Sequence, residues 1–347
     1  MKRTTIKDIA IALGITPSTV SRALSGSSRV SPVTVERVKM KAAELNYQPN
    51  IVASSLRRGR NDTIGMLVPR INRHFFSNVV SAVEEVLNPA GFTLLITQSH
   101  ERLINEKQAI NVLLNNRVAG ILMSHSVETL EFDHILRAVK EKVPVVQFDR
   151  VSTEVSGARI INDNFTGGYM AAKHLIKSGY KRIAHLTGSL QGNVYSERFK
   201  GYVYALEEAG IQLDDSLIVE NAITRDTGYS KALELIKNQL IDAFFCAGDF
   251  SAVGVFKAAE ELKVNIPNEI GLVGFSNEPF AELISPKLSS VEQNAYDMGH
   301  LAAKALIRMI SGGSLADTSY EEVVPVRLLV RESSMRASVV SDQISIV

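Results

Sequence analysis

From Asp62 onward the chain alternates short apolar runs with longer stretches of helical periodicity, and it does so twice. TIGMLV, FTLLIT, GILMS and VPVVQF are short and mostly apolar or β-branched, while SNVVSAVEEVL and EKQAINVLLNN between them repeat apolar residues at helical spacing. RIAHLTG, DAFFCAG and IGLVGF then alternate with YSERFKGYVYALEEAG, GYSKALELIKNQ and SAVGVFKAAEELK. Strands that are apolar along their whole length must be covered on both faces, so the pattern demands a parallel sheet between helix layers. Its repetition predicts two such α/β halves. Open α/β sheets take ligands at the carboxyl ends of their strands, so two facing halves enclose a cleft that can close on a small molecule.

The first sixty residues read differently. Ile6, Ile9, Ala10 and Leu13 form one face of a helix that Gly14 ends. Thr16 as N-cap and Pro17 at the first helical position start a second helix within one turn. Its Val20, Ala23 and Leu24 face the first helix, leaving Pro17, Ser18, Ser21, Arg22 and Ser25 outward. Ser31 and Pro32 open a third helix with Val35, Val38, Ala42 and Leu45 on one side. Two short helices joined at a glycine, the second with a small, polar and basic outer face, match the helix-turn-helix, whose second helix enters the DNA major groove. Ser18 permits close backbone approach, and Arg22 can donate two hydrogen bonds to guanine, worth roughly 1–3 kcal/mol of base discrimination.

Charge agrees with that division. Residues 1–60 hold eleven Lys/Arg against three acids, a net +8, so the remainder carries −7 to reach the overall +1. A basic head that meets a polyanion and an acidic body that does not are the expected pair. No apolar run approaches the roughly 20 residues that cross a bilayer, and the start lacks the uninterrupted apolar stretch of a secretory leader. Membrane contact is therefore not expected, and a cytoplasmic address is. The single cysteine, Cys246, excludes an internal disulfide and reads as a buried strand residue.

Enzyme signatures are missing. The chain has no Walker-type phosphate loop, no G-x-G-x-x-G after the first strand, no G-x-S-x-G and no H-E-x-x-H. The seven histidines show no metal-ligand spacing, and His74, His100 and His125 read as loop or surface residues. The TGG at Thr166–Gly168 lacks a lysine and is weak as a phosphate loop. No catalytic residue, metal or cofactor is expected.

Taken together, Thr5 to about Arg331 resembles the LacI/GalR family of transcriptional repressors. TIKDIAIALGITPSTVSRALSG is similar to the family's operator-reading helices and ELNYQPNIVASSL to its hinge, and IGMLVP, FDRV, NFTGGYMAAKHLI, RIAHLTG, ERFKGY, GD, VGF and SPKLSSVEQ follow at family-like spacing. The resemblance implies a helix-turn-helix head at 1–48 and a hinge helix and linker at 49–62. A periplasmic-binding-protein-like body at 63–335 and a tail at 336–347 would complete the chain. Within the body it implies an N-subdomain of about 63–161 and 291–320 and a C-subdomain of about 162–290 and 321–335. It further implies a homodimer on a pseudo-palindromic double-stranded operator, controlled by a small-molecule effector of carbohydrate type. A transporter's solute-binding protein shares the body but not the basic head, and an activator at some promoters is a variant of the same reading.

The resemblance extends to single residues. Thr5, Pro17, Ser18, Thr19, Ser21, Arg22, Arg29 and Tyr47 fall at DNA-contacting positions of the head, and Asn50, Ala53, Leu56 and Arg57 at those of the hinge. In the family two hinge helices pack in the minor groove and push a leucine between base pairs; Leu56 matches it, with Arg57, Arg58 and Arg60 near phosphates. A helix begun at Asn50 would be far shorter than the roughly 12–15 residues that stand alone in water, so it suits a switch. For the effector the resemblance puts Asp149, Arg198 and Asp249 on the ligand, Phe75 and Phe76 at the mouth, and Ser276 where many members carry an aspartate. With no tryptophan in the chain, Phe75, Phe76, Phe148 and Phe250 are the candidate stacking platforms. Gly192 stands where purine-binding members have an arginine, which argues against a purine. The tail after Arg331 lacks sustained heptads, so dimers without a tetramerising coiled coil are expected.

Overall fold

The computed structural model describes residues 4–24, 29–47, 62–312 and 320–336. The hinge residues Asn50, Ala53, Leu56, Arg57, Arg58 and Arg60, together with Ser25 and the tail from 337, lie outside the described residues. The chain divides into two compact units, Met1–Asn61 and Asp62–Val347.

The first unit contains α1 (Ile6–Leu13), α2 (Pro17–Leu24) and α3 (Pro32–Glu44). Thr5 and Asp8 form a reciprocal capping box at the start of α1, and Gly14 ends it at φ 66°, a left-handed conformation that favours glycine. Thr16 accepts the Thr19 amide at 3.2 Å, and Ser31 accepts that of Thr34 at 3.3 Å. The expected apolar faces meet: Ile9, Ala10, Val20, Ala23, Val38 and Ala42 are buried together, with Ile6, Leu13, Leu24, Val35 and Leu45 packed around them.

The second unit is built on two six-stranded sheets. The first sheet takes β1 (Thr63–Val68), β2 (Thr93–Gln98), β3 (Gly120–Met123), β4 (Val145–Phe148) and β5 (Arg159–Asn162). Around these strands lie α4 (His74–Leu87), α5 (Leu103–Asn115) and α6 (Asp133–Lys140). The chain then crosses into α7 (Asn164–Lys177), β6 (Ile183–Leu186), α8 (Asn193–Glu208), β7 (Ile218–Val219) and α9 (Arg225–Lys237). It continues through β8 (Ala243–Cys246), α10 (Asp249–Leu262), β9 (Gly271–Phe275) and β10 (Ser289–Glu292). After β10 it returns to the first half as α11 (Ala295–Ile310), then β11 (Glu321–Val324), and ends in β12 (Arg327–Leu329). Strand order is β11-β5-β4-β3-β1-β2 in one sheet and β12-β10-β9-β8-β6-β7 in the other, all neighbours parallel except β12 against β10. Hydrophobic clusters cover both faces of each sheet, as the uninterrupted apolar strands required. Cys246 is buried in β8. No helix among the described residues is long and apolar enough to cross a membrane.

The expected subdomain limits shift at the crossings. Residues 321–324 join the first sheet, where β11 pairs in parallel with β5, and residues 291–292 belong to β10 in the second. The cause lies in EEVVPVRLL: Pro325, which lacks an N–H, breaks what otherwise reads as one strand, and its two halves satisfy the open edges of different sheets. The crossings are stitched side by side. Asn162 Nδ2 donates to Gln293 O at 2.6 Å and Gln293 Nε2 to Asn162 Oδ1 at 3.1 Å, while Asn294 Nδ2 donates to Pro325 O at 2.7 Å. TGG also gains an account. A Cβ at Gly168 would lie 2.1 Å from the Arg198 carbonyl oxygen, so this glycine lets α7 and α8 cross closely.

Candidate functional site

In the head, α2 carries the expected outer face. Pro17, Ser18 and Arg22 are exposed and Thr19 and Ser21 half-buried. The Ser18 and Thr19 hydroxyls bond Thr16 Oγ1 at 2.8 and 2.9 Å, so both residues also hold the start of the helix. Thr5 and Arg29 are exposed, whereas Tyr47 is half-buried against the head core and has a packing role that its sequence position did not disclose.

In the body, the loops after the strand carboxyl ends converge on a cavity of about 300 Å³ between the halves. Phe75, Phe76, Asp149, Arg198, Asp249 and Ser276 all line it. Phe75 and Phe76 open α4 after β1, Asp149 follows β4, Arg198 projects from α8, Asp249 starts α10 after β8, and Ser276 follows β9. Phe148 is a correction: as the last residue of β4 it is fully buried in the first-half core and is no platform. Phe250 lines the cavity, but the Arg73 guanidinium lies 3.7 Å from its ring centre and covers it. Gly192 does not line this cavity; it borders a larger one.

The three central charges differ in how they are held. Arg198, 3% exposed, donates from Nε to Asn164 Oδ1 at 2.9 Å and from Nη1 to Ala247 O at 2.7 Å, with its guanidinium 3.5 Å above the Phe275 ring. Nη2 takes no protein acceptor among the described residues and is left for the cavity. Burial pulls the Arg198 pKa down to about 10, still cationic at neutral pH, against the attraction of Tyr195 and Asp149. Asp249 accepts from Ser290 Oγ and from the Glu278 amide, both at 2.7 Å. Burial pushes its carboxyl up to about 6 even so. The Asp149 carboxylate receives only Ser124 Oγ among the described residues, at 3.4 Å; burial raises its pKa, opposed by Arg150 and Arg198. Its carboxylate therefore keeps acceptor capacity toward the cavity.

Several lining residues were not singled out from sequence. Arg150 pairs with Glu101 at 2.6 Å, and against its burial Glu101 holds its pKa above the ordinary value. Arg70, Arg73, Tyr195, Thr224, Glu278 and Gln293 also line the cavity. Position could have marked four of them, since Arg70, Glu101, Arg150 and Glu278 each lie within three residues of a strand's carboxyl end. His125 is in a loop as expected, but it is buried: Nε2 meets Gln147 Oε1 at 2.7 Å, the ring stands on edge to Phe132, and burial lowers its pKa. No group of three or more potential metal ligands occurs among the described residues.

An arginine with a free donor facing an under-bonded carboxylate, flanked by phenylalanines, suits a ligand whose neighbouring groups both donate and accept, as hydroxyls do. The comparisons bear on both units. Residues 5–50 match the family described as "Bacterial regulatory proteins, lacI family" and residues 172–334 a "Periplasmic binding protein-like domain". The chain is 34% identical over 307 residues to the HTH-type transcriptional repressor PurR of Vibrio atlanticus (strain LGP32), spanning 88% of this chain and 92% of that one. A crystal structure of the lac repressor dimer bound to operator and the anti-inducer ONPF superposes with a TM-score of 0.85 at 25% identity, covering 96% of this chain and all of that one. The transcriptional regulator CelR in complex with cellobiose superposes with a TM-score of 0.72 at 28% identity, over 95% of this chain and all of that one.

Proposed function

The chain belongs to the lacI family of bacterial regulatory proteins and is a transcriptional regulator, and from that premise we propose a homodimeric repressor that binds a pseudo-palindromic operator in the cytoplasm and answers to a sugar or sugar derivative. The observation that carries the effector half is the convergence of Asp149 and Arg198 on one cavity with unspent acceptor and donor capacity. A hydroxylated ligand satisfies both at once, and contacts from both halves favour the closed arrangement. The cellobiose complex of one relative and the bound ribose of another support the carbohydrate class. In the head, Pro17, Ser18, Ser21 and Arg22 face bases, and Thr5, Thr19, Arg29 and Tyr47 are the further DNA-contacting positions. In the hinge, Leu56 is the wedge, and Asn50, Ala53 and Arg57 are the further DNA-contacting positions.

A thermal-shift screen of sugars and sugar acids tests the effector, since a ligand at 100 times its dissociation constant stabilises by about 2.7 kcal/mol. The same compound must then change the anisotropy-measured affinity for an operator duplex. A compound that stabilises the body yet leaves operator affinity unchanged contradicts the regulatory role. Leu56→Ala is expected to weaken operator binding far more than binding to a scrambled duplex; equal losses contradict the wedge. Sedimentation is expected to give a dimer at micromolar protein, and a stable tetramer overturns that part.

A further inference from the structure

The body holds a second and larger cavity, of about 630 Å³, which the reading above does not use. It lies back to back with the first: Val127, Arg150, Val194 and Tyr195 line both. We propose that this larger cavity is a second ligand site, for a polyhydroxylated molecule without negative charge, a sugar or an amino sugar.

Its construction is that of a site between moving parts. The 125–132 and 150–154 segments of the first half, the 189–197 segment of the second and the crossing at 161–165 all contribute to the lining. Asn193 bridges the halves beside it, donating from Nδ2 to Asp149 O at 2.9 Å and accepting the Val151 amide at 3.2 Å. The volume falls within the roughly 300–1000 Å³ usual for small-molecule pockets.

The lining selects the ligand. Carboxylates come from Glu154, Asp163, Glu197 and Glu321: Glu197 pairs with Lys200 at 2.6 Å, Glu321 with Arg159 at 3.1 Å, and Asp163 accepts the Thr166 amide at 3.0 Å, while the one guanidinium among the described lining residues, Arg150, is committed to Glu101. Arg150, Arg159 and Lys200 are each spent on a carboxylate, so an anion finds no free cation among the described lining residues and meets Glu154, whereas hydroxyls or an ammonium find Glu154 and the second oxygens of the paired carboxylates as acceptors. Phe132, Phe165 and Tyr195 add aromatic surface for the apolar face of a sugar ring. Buried nitrogens also lack partners here: His125 Nδ1 and Arg150 Nε, both on lining residues, have none among the described residues. Because both halves wall the cavity, an occupant favours one separation of the halves over others, and its binding is linked reciprocally to that of a ligand in the smaller cavity.

Titration calorimetry on the full-length protein tests this with glucose, cellobiose, glucosamine and glucuronate. Two variants block the larger cavity from its exposed rim. Thr153→Trp acts from the first half and Gly192→Trp from the second, where a Cβ meets nothing within 4 Å and φ is −92°. Arg198→Met and, at the exposed rim of the smaller cavity, Thr224→Trp disable the other site. The expected result is a binding event from a neutral or amino sugar that survives Arg198→Met or Thr224→Trp but weakens at least tenfold in both rim variants of the larger cavity, with no such event from glucuronate. The proposal is overturned if every event is lost when the smaller cavity is disabled, if all events survive both rim variants, or if glucuronate binds equally well there. Events that ignore Arg198→Met and Thr224→Trp altogether would instead sink the effector assignment of the smaller cavity. No event from any compound overturns both.

Discussion

The two walls of the smaller cavity are made to different standards. The second-half wall is tightly bonded: Arg198 and Asp249 make contacts of 2.7–2.9 Å to Ala247, Asn164, Ser290 and the Glu278 amide. The first-half wall is uneven: Arg150 is held by Glu101 at 2.6 Å, but the Asp149 carboxylate receives one hydroxyl at 3.4 Å and Arg73 rests on a ring of the opposite half rather than on a carboxylate. A rigid wall fixes where a ligand sits, while an under-bonded one leaves binding energy to be gained when it closes. In a regulator this division lets the ligand drive the motion, since only interactions that differ between open and closed states can shift their balance.

The difference should be largest at Arg198. Arg198→Met leaves the Ala247 carbonyl and Asn164 Oδ1 unpaired in the interior and removes the cation between Asp149 and Asp249, an expected loss of roughly 3–5 kcal/mol in urea unfolding. A loss below about 1 kcal/mol would mean that the second-half wall is no more committed than the first.

Asp249 gives the next effect, and its sign is set by its raised pKa. The folded state holds the proton up to about pH 6, while an unfolded aspartate releases it near pH 4. Folded protein thus binds more protons in that window, so this group's contribution is fully present below about pH 4 and is lost as the pH rises through about 6. Asp249→Asn should flatten the stability profile between those limits by roughly 2–3 kcal/mol. A difference between wild type and variant that does not change with pH would show the carboxylate to be ionised throughout.

Arg73 tests the span between the walls. Arg73→Ala removes the cation above Phe250, where a half-buried contact of this kind is worth about 0.5–2 kcal/mol. The expected outcome is a fall in melting temperature of a few degrees together with weaker ligand binding. Intact affinity would place the contact outside the closing motion.

How much of this was legible in the sequence follows from the same physics. β1, β3, β4, β8 and β9 were visible because burial on both faces leaves a continuous apolar run. β5 (RIIN), β10 (SSVE) and β11 (EEVV) were not read as strands, because they lead into the crossings or lie at an edge, where polar residues are tolerated. Asp149, Arg198 and Asp249 were named by family resemblance alone, since no local pattern marks a residue whose role depends on where another half of the chain comes to lie. Arg73 and Glu278 show the limit: the first caps nothing with its side chain and the second follows a strand by three residues, yet the fold sets both on one cavity.

Ser124 carries the smallest and most discriminating expectation. Its hydroxyl is the sole side-chain donor to the Asp149 carboxylate among the described residues, at 3.4 Å, a length at which a hydrogen bond contributes little. Ser124→Ala is therefore expected to change stability by no more than about 0.5 kcal/mol. Ligand affinity, in contrast, should hold or rise slightly, because Asp149 then faces the cavity with nothing to exchange. A loss of more than about 2 kcal/mol in unfolding would mean that Asp149 is anchored as firmly as Asp249, and the contrast between the two walls would disappear.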